Sequence, residues 1–304
     1  MRSLAKWVSV LTTGLWFANV CVAAAKPSVP DHNQSLVQAE YAFAQAVQQH
    51  GLRDGFLMYL DDHAIAFAPQ PMDARTFYAS RTAGPSTLSW YPVMARIAAA
   101  GDFGFTTGPW QVSFTTRDGK PATAHGDYVT IWHRNADGAW RWLLDAGVAH
   151  EAPTGKTKAL ADSADSKPYL MNDATHGNRA AAANLTDLDV KYTELATHTG
   201  MRAVYQTLGS KDLRVLQFHA QPLVGRAAVL KQTPMEKAGL QWVMSGSGIA
   251  SSHDLAYTYG MAYPVSGDQG RAPQSVYVHV WKHTQGGWQL LLDLENALPP
   301  PHAR

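Results

Sequence analysis

Cysteine is almost missing from this sequence: 304 residues contain one, Cys21, and it lies inside an apolar N-terminal stretch. Once that stretch is removed the chain has no thiol, which excludes disulfides, thiolate metal sites and a cysteine nucleophile. Charge is scarce and evenly balanced, with 25 Lys+Arg against 24 Asp+Glu and 16% charged residues in all. No field of one sign exists to attract nucleic acid or an anionic membrane, so nucleic acid is not an expected partner, and the balance points to a neutral or weakly charged small ligand or to none. The apolar run Trp7 to Val22 is short for a bilayer span and is interrupted by Thr12, Thr13, Gly14 and Asn19. There is no Gly-x-Ser-x-Gly elbow, no His-x-His and no His-Glu-x-x-His, so neither a serine hydrolase, a metal nor any other cofactor is expected. Ser245-Gly246-Ser247-Gly248 is glycine-rich but lacks the lysine of a phosphate cradle, and reads as a loop.

What is present begins with Arg2 and Lys6, the apolar stretch, and then Ala23-Ala24-Ala25 before Lys26. That order is a secretory signal peptide over residues 1–25, and the mature chain is expected in the periplasm or secreted, with no membrane attachment after cleavage. Ten Trp and twelve Tyr are available both as core filler and as pocket walls.

The chain also repeats itself. Tyr128-Val-Thr-Ile-Trp132 returns as Tyr277-Val-His-Val-Trp281, an offset of 149 residues (132 to 281), and Leu-Leu-Asp145 returns as Leu-Leu-Asp293, an offset of 148 (145 to 293). Trp90, Asp102 and Gly108 match Trp242, Asp254 and Gly260 at a common offset of 152 (90 to 242). Gly51-Leu-Arg53 is echoed by Gly200-Met-Arg202 at 149 (51 to 200). Each copy reads as helices followed by an antiparallel meander: a helix through Leu36, Ala39, Phe43 and Val47 stopped at Gly51, a short second helix to Leu60, then strands over 102–107, 110–117, 125–134 and 140–148 with turns at Asp118-Gly119 and Asp137-Gly138. The expected class is α+β, with N-terminal helices packed on a curved antiparallel sheet in each of two domains, 34–152 and 184–298, joined by a linker over 153–183.

Glu40 on the first helix, Phe56 and Asp62 at the helix-to-strand turn, the Gly-Asp-Phe-Gly-Phe-Thr-Thr-Gly strand and the closing Trp132 to Asp145 hairpin resemble the cystatin-like cone of the nuclear transport factor two superfamily. More narrowly, the chain resembles exported bacterial proteins of unknown function near its SnoaL-like group. The resemblance implies a cone-shaped cavity between helices and sheet, in which some members use a carboxylate or histidine as a base. It implies little about chemistry, because the fold carries isomerases, dehydratases and binding proteins alike.

Asp145 and Asp293 follow an apolar run, so each either reaches solvent or is buried against a donor. Asp145 is the candidate base, with His150 and Glu40 beside it as further catalytic candidates. Trp90, Tyr128, Trp132, Asp62 and His125 are the candidate ligand contacts. His125 and His150 have no ionisable counterpart in the second copy, where Gln274 and Leu298 stand. Asp102 and Asp254 read as turn-forming side chains. Three functions follow: binding of an apolar or aromatic molecule, mainly in the first domain; an isomerase or dehydratase with Tyr128 or Trp90 as donor; or a structural pseudo-dimer made by intramolecular pairing of the two domains.

Overall fold

The first helix begins where its own sequence can cap it. In the computed structural model, which describes residues 35–82, 84, 86–155, 157–160, 185–265 and 272–299, the Ser35 hydroxyl accepts the Gln38 N–H at 3.2 Å and the Gln38 side chain accepts the Ser35 N–H at 3.1 Å. Helix α1 (Leu36–Tyr59) is broken at Gly51, with φ 82° and ψ 167°, a backbone state that glycine reaches without steric cost. The break lets Phe43 and Val47 before it and Phe56 and Tyr59 after it bury on the same core. The signal-peptide reading and most of the linker reading fall outside the described residues.

After α1 come β1 (Leu60–Phe67), β2 (Pro71–Asp73), α2 (Ala74–Ser80), β3 (Thr87–Trp90), β4 (Met94–Ile97), β5 (Phe103–Thr115), β6 (Pro121–Arg134) and β7 (Trp140–His150). They form one sheet in the order β2-β1-β7-β6-β5-β3, with β4 also on β5. The second unit has α3 (Leu185–His198), α4 (Met201–Thr207), β8 (Gly209–Gln217), β9 (Leu223–Val224), α5 (Arg226–Gln232), β10 (Leu240–Ile249), β11 (Leu255–Pro264), β12 (Ser275–Thr284) and β13 (Gly287–Ala297), in the sheet order β10-β11-β12-β13-β8-β9. Gly200, at φ 109°, separates α3 from α4. The fold is α+β, two units of helices on a sheet.

Two readings of the strands need correction. Gly108-Pro109 does not break the strand, because β5 is continuous from Phe103 to Thr115. These two residues sit where its outer neighbour changes: β4 pairs up to Thr107 and β3 from Trp110, so the missing proline N–H leaves no outer acceptor unpaired. Ser245 to Gly248 is likewise strand, inside β10. Its glycines accommodate facing tyrosines, since a Cβ on Gly246 would lie 2.6 Å from Tyr259 Oη and one on Gly248 2.4 Å from Tyr257 Cε1.

The closing hairpins of the two units share one register. Tyr128 faces Gly147 and Thr130 faces Asp145 in the first; Tyr277 faces Glu295 and His279 faces Asp293 in the second. A bulge follows at the same place in both, after Ile131 and after Val280. Because side chains alternate along a strand and a bulge inserts one residue, Trp142 and Asp145 both face the helices although they are three apart.

The opposite faces of the two sheets bury against each other: Phe105, Val129, Ile131 and Leu144 share a core with Leu216, Val278, Val280 and Leu292. At its edge Asp102 accepts the Ser251 N–H at 3.1 Å, and Asp254 accepts the Ala99 N–H at 2.9 Å. The exchange is reciprocal, as in a two-fold contact. These aspartates therefore bridge the units, beyond the turn role read from their sequence context.

Candidate functional site

The helix side of the first sheet carries an open-mouthed cavity of about 280 Å³. Phe56 comes from α1, Phe77 and Tyr78 from α2, Trp90 from β3 and Trp110 from β5, and their rings form the walls, with Arg81 at the rim. Arg81 is exposed, with its guanidinium 5.1 Å from the Phe77 ring centre. The sheet contributes Tyr128, Asp145 and Gly147.

Asp145 is the acidic group of this cavity. It is only partly buried, and Thr130 donates to its Oδ2 at 2.8 Å, its only hydrogen bond among the described residues. Burial among rings raises its pKa to about 6, with the Thr130 hydrogen bond opposing. The Tyr78 hydroxyl lies near enough to feel the Asp145 charge, which, after burial itself, pushes its pKa well up. Tyr78 makes no hydrogen bond to a described residue.

Glu40 lies behind the wall rather than in the cavity. Trp90 Nε1 and Thr106 Oγ1 donate to it in short hydrogen bonds, and Trp132 Nε1 donates at 3.1 Å to Glu40 and at 3.0 Å to Thr106. Burial raises Glu40 to about 7 against the pull of those donors. Its carboxyl fixes the two indoles, so Trp90 offers the cavity only its ring and Trp132 is wholly core. The Tyr128 ring lines the cavity, but its hydroxyl is buried beside Thr106 and Glu40 without a hydrogen bond of good geometry. Neither donor expected from the sequence is thus open to a ligand.

Three candidates lie elsewhere. His150 is at the junction of the units, its Nε2 2.8 Å from Asp127 Oδ2 and its Nδ1 2.7 Å from the Glu151 carbonyl. Arg214 of β8 donates to the other Asp127 oxygen at 2.7 Å. Asp62 is 88% exposed in a surface ion pair with Arg75, an arrangement of little energetic weight. His125 stands in the ladder between Gln111 and His150, outside the cavity wall. The physical cause is strand parity: His125 alternates in phase with Val129, and His150 with Leu144 and Val148, so both belong to the face turned away from the helices.

Sequence reasoning missed Tyr78, Arg81, Trp110 and the Asp127–Arg214 pair. A signal for Trp110 was present in the glycines facing it: a Cβ on Gly126 would lie 2.4 Å from its ring and one on Gly147 3.1 Å from its Nε1. At the same register positions the second unit has Ala262, Ser275 and Glu295, with Ser275 donating to Glu295 at 2.6 Å. Tryptophan over two glycines is replaced there by a buried polar pair, and burial raises Glu295 to about 7.

In the second cone the carboxylates of Asp189 and Asp293 are both hydrogen-bonded, while Trp242 Nε1 and His279 Nε2 are buried without a hydrogen-bond partner among the described residues. Asp189, in the place of Glu40, accepts from Thr258 at 2.9 Å and Tyr277 at 2.7 Å, and contacts His279 Nδ1 at 2.9 Å. Asp293 accepts from Tyr192 at 2.8 Å and Tyr205 at 2.9 Å. Burial opposes charging of His279, but Asp189 and then Asp293 outweigh it and leave its pKa raised. Among the described residues no group of three His, Cys, Asp or Glu side chains is arranged to hold a metal ion.

No family model matches this chain, and no curated protein matches it. Solved structures similar to it include a cystatin-like-fold protein of unknown function from Nostoc punctiforme, at 15% identity over 40% of this chain and 95% of that one, TM-score 0.33. A ketosteroid isomerase-like protein from Erwinia carotovora atroseptica has 15% identity over 41% and 100%, TM-score 0.31. The association domain of C. elegans CaMKII has 14% identity over 37% and 91%, TM-score 0.30. The likeness concerns fold and carries no chemistry to this chain.

Proposed function

We propose that this chain is an exported tandem-cone protein that binds one small, largely apolar ring-containing molecule in its first cone, while the second cone serves as a paired structural partner. The observation that carries the reading is the ring-walled cavity of about 280 Å³ with a single under-bonded carboxylate, Asp145. Pockets of this kind take apolar ligands and orient them through a few polar groups. Export to the periplasm or beyond rests on the signal-peptide pattern of residues 1–25. Intramolecular pairing is supported by the core that both sheets share.

Filling the cavity tests the binding reading. Val112 lies on its wall, and Val112→Trp is expected to leave the fold intact while abolishing the thermal shift that aromatic compounds give the unmodified protein. Equal shifts in both proteins would remove the cavity from the account. One observation favours a second reading, proton transfer. Asp145, raised to about 6, shares its cavity with the Tyr78 hydroxyl, the pairing of base and oxyanion donor that enolisation uses. Deuterium exchange at a carbon acid, rising with pH through 6 and lost in Asp145→Asn, would establish it.

A further inference from the structure

The second cone shows what its counterpart in the first is missing. Asp145 and Asp293 hold the same register position, opposite Thr130 and His279. Asp293 receives two phenolic O–H groups, from Tyr192 and Tyr205. Tyr192 stands eight residues before the glycine that ends its helix and Tyr205 five after it, where the first unit has Phe43 and Phe56 about Gly51. Both phenols of the second cone are therefore unsubstituted phenyl rings in the first. Phe56 remains on the cavity wall, and Phe43 packs 4.8 Å from it, centre to centre.

The consequence falls on Asp145. An ionised carboxylate has acceptor sites for about four hydrogen bonds and donates none, and this one has Thr130 alone. Tyr78 lines the same cavity, within reach of the Asp145 charge, and its hydroxyl makes no hydrogen bond to a described residue. A bound group that donates to Asp145 and accepts from Tyr78 satisfies both, and a hydroxyl on a flat ring does this while its ring occupies the aromatic walls.

Resting on the binding reading above, we infer that the first cone takes a phenol, a hydroxylated aromatic whose O–H donates to Asp145 in the place that Tyr192 and Tyr205 occupy on Asp293. The tyrosines of the second cone act as built-in donors to its carboxylate.

Calorimetric titration with 2-naphthol and 2-methoxynaphthalene at neutral pH tests this, since the two differ by the donor alone. The naphthol is expected to bind at least about tenfold more tightly, because the ether displaces water from the carboxylate and gives it no donor beyond Thr130. In Phe56→Tyr the chain supplies its own phenol, and the preference is expected to fall to within about twofold; Asp145→Asn, of unchanged volume, gives the same loss should Phe56→Tyr not fold. Equal affinity of the unmodified protein for both compounds, or an undiminished preference in both variants, would overturn the phenol assignment and leave cavity binding standing. Failure of both compounds to bind, with no cavity-dependent shift from any aromatic, would overturn the binding reading itself.

Discussion

Replacing Asp127 with alanine is expected to destabilise the protein by about 3–5 kcal/mol, because it strands a buried cation. The Asp127 and Arg214 side chains are 3% and 6% exposed and 2.7 Å apart across the two units. Arg214 Nε already lacks a partner, so no other acceptor is available to compensate, and His150 Nε2 loses its contact in the same step. The cost arises from breaking the pair rather than from a large net value of the pair. At the related register positions the chain has apolar residues instead: Ile65 on β1 corresponds to Arg214 on β8, and Val276 on β12 to Asp127 on β6. The doubly apolar variant Asp127→Val with Arg214→Ile is therefore expected to recover most of the loss. Urea unfolding of the two single variants and the double variant checks this, and an Asp127→Ala protein within about 1 kcal/mol of the parent would contradict it.

Stability is also expected to fall as pH rises from 5 to 8. Glu40 and Glu295 are raised from 4.5 to about 7, and Asp145 from 3.8 to about 6, in each case chiefly by burial. The folded protein thus holds protons that the unfolded chain would release, so this stabilisation is complete below about pH 4 and is lost as pH rises through about 7. Each pKa unit is worth about 1.4 kcal/mol, so Glu40 alone accounts for roughly 3 kcal/mol. His279 acts in the same direction, since its pKa too is raised in the fold. Melting temperatures at pH 5 and 8 measure the effect, and Glu40→Gln, which keeps the shape and removes the titration, is expected to reduce the difference. A melting temperature higher at pH 8 than at pH 5 would reverse the sign and sink the account of these buried acids.

Much of the fold was legible because it rests on local physics. Gly51 and Gly200 end helices, Gly119 and Gly138 take positive φ in turns, and apolar periodicity separates helix from strand. Gly108-Pro109 and Ser245 to Gly248 misled for the opposite reason: their backbone state is set by neighbours distant in sequence, a change of pairing partner in one case and facing tyrosine rings in the other. In the candidate site, the framework of Trp90, Tyr128 and Asp145 could be read from its recurrence in both copies. Tyr78 and Arg81 could not, because nothing in α2 shows that it closes over the sheet. Donor availability was equally hidden, since only coordinates reveal that Glu40 occupies the Trp90 N–H. The more telling signal was a difference between copies, Phe43 and Phe56 against Tyr192 and Tyr205, whose meaning depends on knowing that both tyrosines reach one carboxylate.

The central claim is that the first cone holds a small aromatic molecule. Native mass spectrometry of the protein isolated from its own host, compared with Val112→Trp isolated in the same way, tests it most directly. The account predicts a bound small molecule, lost on collisional activation, on the parent and none on the filled variant. A parent that carries nothing and takes up no aromatic compound, or a filled variant that carries the same molecule, would contradict it.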